Sequence, residues 1–173
     1  MKRFILTGTP GSGKTTLLRR LAGLGYATTE EAATAVIAEA QAAGEPEPWT
    51  DPSFLDRIVA VQARPQPPAP VRFFDRSPVC THALAVYLGH PLTPALLAEL
   101  DRITRDEVYD RRVLFVRNLG FCEPTEARRI TFEESLRFEE LHERSYRAFG
   151  FQLVDVPAAP VEERLALIRA AVL

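Results

Sequence analysis

A chain of 173 residues, 46% hydrophobic and 25% charged, has the length and balance of one self-sufficient globular domain. Its net charge of −2 removes the electrostatic case for a nucleic-acid or anionic-membrane partner. Cys80 and Cys122 stand alone, without the spacing of a zinc site, and no apolar run approaches a membrane span. With sparse cysteine and no leader-like segment, the expected location is cytoplasmic.

Residues 3–7 begin the chain as a short, centrally apolar strand. A glycine-rich turn follows, then a helix from about Lys14 to Ala22 that Gly23 and Gly25 end. A second strand is expected at Tyr26–Thr29 and a helix over Ala32–Ala43, with Val36, Ile37 and Ala40 at helical spacing. Asp51-Pro52 starts the next helix, which runs towards Arg64. Pro65-Gln66-Pro67-Pro68-Ala69-Pro70 breaks it and reads as a stiff loop. Val71–Asp75 is a third strand and Val79–Leu88 a helix, closed by Gly89-His90-Pro91. Thr93-Pro94 opens another helix to about Val108. Arg112–Val116 is a fourth strand, 117–130 is irregular, and Thr131–Phe149 is a long charged helix. Phe151–Val156 is the last strand and Val161–Leu173 the last helix. Alternating strands and helices predict an α/β domain, a parallel sheet with helices on both faces.

Gly8-Thr9-Pro10-Gly11-Ser12-Gly13-Lys14-Thr15, between an apolar strand and a helix, matches the phosphate-binding loop. Glycines let the backbone take unusual dihedrals and approach a phosphate closely. The loop amides and the helix N-terminus then supply donors and partial positive charge. Lys14 is expected on the β- and γ-phosphates, Thr15 on Mg²⁺, and Thr16 within the same nucleotide site.

In a parallel sheet, ligands gather at the carboxyl ends of the strands. Asp75 ends the third strand, where a Walker B carboxylate holds the metal. Arg76 follows it and suits a transferring phosphoryl group or an acceptor phosphate. Glu30 and Glu31 follow the second strand, and Glu31 is the candidate to orient or deprotonate an acceptor hydroxyl. Arg128 and Arg129 fall in a lid-like segment at about 117–131 and are candidates to neutralise phosphates. Arg117 is a weaker candidate to flank adenine. No role is assigned to His82, His90 or His142. Trp49 reads as a packing residue, and Glu133, Glu134, Arg137, Glu139, Glu140, Glu143, Arg144 and Arg147 as a solvated helix face with close pairs.

The phosphate loop, Gly25-Tyr26 leading to Glu30-Glu31-Ala32, and Pro48-Trp49-Thr50-Asp51 continue into Phe73-Phe74-Asp75-Arg76. Tyr109-Asp110-Arg111-Arg112-Val113, Glu126-Ala127-Arg128-Arg129 and Gly150–Pro157 follow. In this order the chain resembles the small single-domain AAA-labelled ATPases of kinase-like fold. These are relatives of the ribosylnicotinamide-kinase domain and, more distantly, of thymidylate and deoxynucleoside kinases. The resemblance implies a five-stranded sheet of order 2-3-1-4-5, with the strands of Lys14 and Asp75 as neighbours, and ATP with Mg²⁺. Members often carry arginine where Thr34 stands, and its absence weighs against a charged acceptor. They often carry glycine where Ser77 stands, whereas Asp75-Arg76-Ser77 is similar to the deoxynucleoside-kinase motif.

The expected function is therefore Mg²⁺-dependent transfer of the ATP γ-phosphoryl group to a small nucleoside- or nucleotide-like acceptor, by a monomer or homodimer. The alternative is an ATPase or nucleotide-dependent switch acting with a protein partner. A ring-forming motor would need a helical lid domain, for which 173 residues leave little room.

Overall fold

The structure, a computed structural model, describes residues 1–121 and 130–172. Phe4-Ile5-Leu6 is apolar at every position, so a strand built from it must be covered on both faces. It forms the middle of β1 (Lys2–Thr7), the central strand of a parallel sheet. The other strands are β2 (Ala27–Thr29), β3 (Val71–Asp75), β4 (Arg112–Val116) and β5 (Gln152–Val156). Their order is β2-β3-β1-β4-β5, so β1 and β3 are neighbours with Leu6 opposite Asp75.

Side chains alternate across a strand, and the alternation divides the core in two. Phe4 and Leu6 join Phe73, Leu114 and Val156 on one face. There they meet Leu17, Leu18 and Leu21 of α1 (Lys14–Gly23) and Leu165, Ile168 and Val172 of α7 (Val161–Val172). Ile5, Phe74 and Val113 take the other face. They are covered by α3 (Ser53–Gln62), α4 (Pro78–Leu88), α5 (Pro94–Arg105) and α6 (Phe132–Ala148). Each fully buried side chain of this kind contributes about 1.5–3 kcal/mol relative to exposure. A smaller cluster joins Ala32 and Val36 of α2 (Ala32–Ala42) to Phe54 and Ile58 of α3.

The expected strands and helices are all present, and β3 and β4 begin and end at the expected residues. Helix α5 stops at Arg105, short of Val108, because Glu107 takes a left-handed φ of 45° that a helix does not accommodate. The proline-rich loop is fixed by Arg72 of β3, whose Nη2 donates to Pro67 O at 2.9 Å and whose Nη1 donates to Thr28 O at 3.0 Å.

Helix α6 exposes most of its charged side chains, as expected, and Arg147 pairs with Glu143 at 2.7 Å. Its side chains Phe138, His142 and Tyr146 are buried. Glu139 and Glu143 pair with Arg117 at 3.3 and 2.9 Å. The charge pattern alone concealed this, because the opposing cation lies on the loop after β4. Of the lid-like segment, residues 122–129, with Arg128 and Arg129, lie outside the described residues.

Candidate functional site at the carboxyl edge of the sheet

The loop between β1 and α1 cannot be built from ordinary residues. Gly8, Gly11 and Gly13 have φ of 139°, 80° and 88°, a region that side chains with a Cβ avoid. A Cβ on Gly8 would lie 2.1 Å from Val116 O, the backbone of β4. The loop therefore sits directly against the sheet edge.

Lys14 folds back into this loop. Its buried ammonium donates to Gly8 O at 3.0 Å, Thr9 O at 2.8 Å and Ser12 Oγ at 3.4 Å. Helix α1 starts behind Gly13 with no side-chain cap and no acidic residue in its first turn, so its open amides and dipole face the loop. Thr9 Oγ1 is buried without a hydrogen-bond partner, whereas Thr15 and Thr16 are exposed at the helix start.

Arg164 of α7 holds the loop from behind, donating from Nη1 to Ser12 O at 2.8 Å and from Nη2 to Arg117 O at 3.1 Å. Burial lowers its pKa. Arg117 is bound by Asp155 as well as by Glu139 and Glu143, and its guanidinium lies 4.3 Å from the Phe115 ring centroid. This arrangement ties α6 to the sheet, where the sequence suggested an adenine contact.

Asp75 ends β3 and is buried beside β1. Arg76 turns the chain away in a left-handed conformation, φ 73°, and its N–H donates to Leu6 O at 2.9 Å. Such strain in a residue with a Cβ costs about 1–3 kcal/mol and persists only where neighbours over-determine it. Two neighbours do so. Glu31, the residue before α2, places Oε1 2.6 Å from Arg76 Nε, an ion pair without the alignment of a good hydrogen bond. On the other side Arg76 Nη1 lies 2.9 Å from His142 Nε2.

The histidine's tautomer follows from its contacts. His142 Nδ1 is 2.8 Å from Phe138 O, a carbonyl that can only accept, so Nδ1 carries the proton. Nε2 then accepts from Arg76. Burial, and then the Arg76 charge, push the His142 pKa down to about 3. For Arg76, burial opposes the charge, but Glu31, Cys80 and Asp75 outweigh it and raise the pKa. His142 was given no role from sequence. The contact joins residues 66 apart, and no local pattern announces it.

His142→Leu is expected to cost about 1–3 kcal/mol in urea unfolding, because it leaves an Arg76 N–H buried and unpaired. It should also change the acid limb. The folded-state pKa is depressed from 6.5 to about 3, so the unfolded chain binds the extra proton. Stability is full above about pH 6.5 and falls towards pH 3, by up to about 1.4 kcal/mol per pH unit. The variant should lose this component of the slope.

Beside these groups opens a cavity of about 480 Å³, within the range of small-molecule sites. Pro10 of the loop, Glu31 and Arg76 are among the residues that line it. Apolar side chains form most of the rest, among them Ile37, Trp49, Phe54, Leu84, Tyr87 and Phe138. Trp49 thus both packs on the α2–α3 cluster, as expected, and faces the cavity. Gln62 also lines it, with Oε1 accepting from Thr81 Oγ1 at 3.0 Å.

The donor set fits a nucleotide-bound Mg²⁺. Mg²⁺ keeps several waters and takes few protein oxygens beside the phosphates. Thr15 and Asp75 offer one hydroxyl and one carboxylate, and no cluster of three ligating residues occurs among the described residues.

A phosphate-loop strand and helix in a five-stranded parallel sheet, with the order β2-β3-β1-β4-β5, define a P-loop NTPase of kinase-like fold. The chain belongs to the AAA-domain family, whose model matches residues 3–164. No curated protein matches the chain. Among solved structures, it is similar to deoxyadenosine kinase from M. mycoides with the products dCMP and dCDP bound. That likeness has a TM-score of 0.65 at 15% identity, over 98% of this chain and 97% of the kinase. It is also similar to the NadR protein in complex with NAD and AMP-PNP, with a TM-score of 0.67 at 18% identity. The match covers 98% of this chain and 49% of NadR, so the chain spans about half of that protein. A NadR complex with NR gives 0.63 at 21% identity, over 90% and 43% of the two chains. At these identities the likeness is one of fold. No helix among the described residues is long and apolar enough to cross a membrane.

Proposed function

We propose that this protein is a Mg²⁺-dependent kinase that transfers the γ-phosphoryl group of ATP to a hydroxyl of a small nucleoside-like acceptor. The observation that carries this reading is the cavity. Pro10 of the phosphate loop, Glu31 and Arg76 line it together with a mostly apolar set of side chains. A protein that only hydrolyses ATP has no use for such a chamber at that place. The nucleotides named in the solved deoxyadenosine kinase and NadR complexes support the reading.

In this reading the Gly8–Thr16 loop holds the triphosphate through its amides and Lys14. Thr15 and Asp75 would hold Mg²⁺, which supplies charge neutralisation at the phosphates. Glu31 accepts the proton of the acceptor hydroxyl as that oxygen bonds to the γ-phosphorus. The bond from the γ-phosphorus to the bridging oxygen breaks, and ADP leaves with the electron pair. Arg76 stands beside this path as a fixed positive charge, positioned by His142. Burial of both partners excludes water from the transfer.

The test is ATP consumption with Mg²⁺, alone and with a panel of nucleosides, nucleoside monophosphates and ribosylnicotinamide. Strong stimulation by one compound with a phosphorylated product is the expected result. Steady hydrolysis indifferent to every compound overturns the reading and favours an ATPase switch.

A further inference from the structure

We propose that Arg164 is a positioning residue for the bound polyphosphate: it orients the Ser12–Gly13 peptide and polarises the Gly13 amide towards a phosphate oxygen. The inference rests on the kinase reading only in taking the loop as a nucleotide site, and it needs no acceptor.

Arg164 stands in the first turn of α7 and is 2% exposed. Its neighbour Leu165 packs with Ile168 and Val172 on the sheet and on α1, so the guanidinium starts from a fixed base. From there it grips two peptide units, Nη1 on Ser12 O at 2.8 Å and Nη2 on Arg117 O at 3.1 Å. No peptide bond among the described residues is cis. Across a trans peptide the C=O and the following N–H point in opposite directions. The Arg117–Asn118 unit shows the consequence. Its carbonyl faces Arg164, while the Asn118 N–H leaves on the other side and donates to Glu139 Oε2 at 3.2 Å.

The Ser12–Gly13 unit is held in the same way. Ser12 O faces Arg164, and a Cβ on Gly13 would lie 3.0 Å from Nη1. The carbonyl is thus committed to α7, and the Gly13 N–H points away from it. That N–H sits at the N-cap of α1, where amides have no intrahelical acceptor and anions bind. A charged donor on the carbonyl polarises the whole amide, so the N–H opposite becomes a stronger donor. Arginine keeps its charge on burial, so this polarisation is built in before a nucleotide arrives.

The experiment is ADP binding to the full chain, by displacement of a fluorescent nucleotide, in the wild type, Arg164→Lys, Arg164→Gln and Arg164→Met. Lysine keeps the charge and a donor, glutamine keeps a donor without the charge, and methionine keeps neither. The expected loss is within about tenfold for R164K and about 10- to 100-fold for R164Q and R164M. Urea unfolding of each variant separates a plain brace from this role. A brace makes affinity follow stability and lets glutamine serve as well as lysine. R164Q binding ADP as tightly as R164K, or R164M binding it within about threefold of wild type, overturns the proposal. If R164M does not fold, the lysine–glutamine comparison decides alone. A wild type that binds no ADP overturns the proposal and the nucleotide site together. The expected order of variants in a chain that phosphorylates nothing upholds the proposal and sinks the kinase reading.

Discussion

Gly8→Ala is expected to lower folding stability by roughly 2–5 kcal/mol and to abolish ATP binding. Two independent costs meet at this position. The φ of 139° is one that an alanine avoids, and the new methyl would lie 2.1 Å from Val116 O and 3.1 Å from Val116 C. Neither neighbour is the flexible end of a side chain. Both belong to the backbone of a fully buried strand residue at the sheet's carboxyl edge. Relief requires the loop to lift away from β4, which displaces the amides and the carbonyls that hold Lys14. Gly25→Ala is the control, since Gly25 also has a positive φ, 90°, but nothing within 4 Å of its would-be Cβ. It should show strain alone, about 1–3 kcal/mol at most. Urea unfolding of both variants, with displacement of a fluorescent nucleotide, makes the comparison. Equal losses in the two would show that close approach to Val116 is not what fixes Gly8.

The same contact shows why the loop was legible in the sequence and much of its surroundings was not. A phosphate loop is a local device, with its glycines, lysine and hydroxyl within eight consecutive positions, so the spelling carries the geometry. Strands β1, β3 and β4 were legible for a similar reason, since a strand covered on both faces must be apolar almost throughout. Other groups at the sheet edge meet only through tertiary packing. Arg164 reaches Ser12 across 152 residues and His142 reaches Arg76 across 66. Each sits on a helix whose own pattern is satisfied by its apolar stripe, so neither leaves a local mark. The charged run of α6 was legible only in part: one helix shows which residues can pair within it, not that Arg117 stands opposite Glu139 and Glu143. The acceptor chamber is likewise assembled from α2, α3, α4 and α6 with the loop, and no single stretch encodes its volume.

Glu31→Gln is expected to lower kcat for acceptor phosphorylation by about 10²–10⁴ while leaving the KM for ATP nearly unchanged. The substitution keeps the side chain's shape and an oxygen that can accept from Thr34, but removes a base able to take the acceptor proton. It also removes the anion matched to Arg76, whose guanidinium is held in a strained turn at 2.6 Å from Glu31. Leaving a buried cation without its partner is destabilising by up to about 3–5 kcal/mol, so unfolding must be measured beside the kinetics. The isosteric amide, with an oxygen still available to Arg76, should place the loss towards the lower end. Basal ATP hydrolysis supplies the separation between the two functions. A general base for an acceptor hydroxyl contributes nothing when no acceptor is bound, so E31Q should hydrolyse ATP at close to the wild-type basal rate. If a folded E31Q protein phosphorylates its acceptor within about tenfold of wild type, Glu31 is a structural counter-ion to Arg76 and another group takes the proton. If basal hydrolysis falls in step with transfer, the damage lies in the phosphate site that Arg76 borders, and the carboxylate acts by holding that arginine in place.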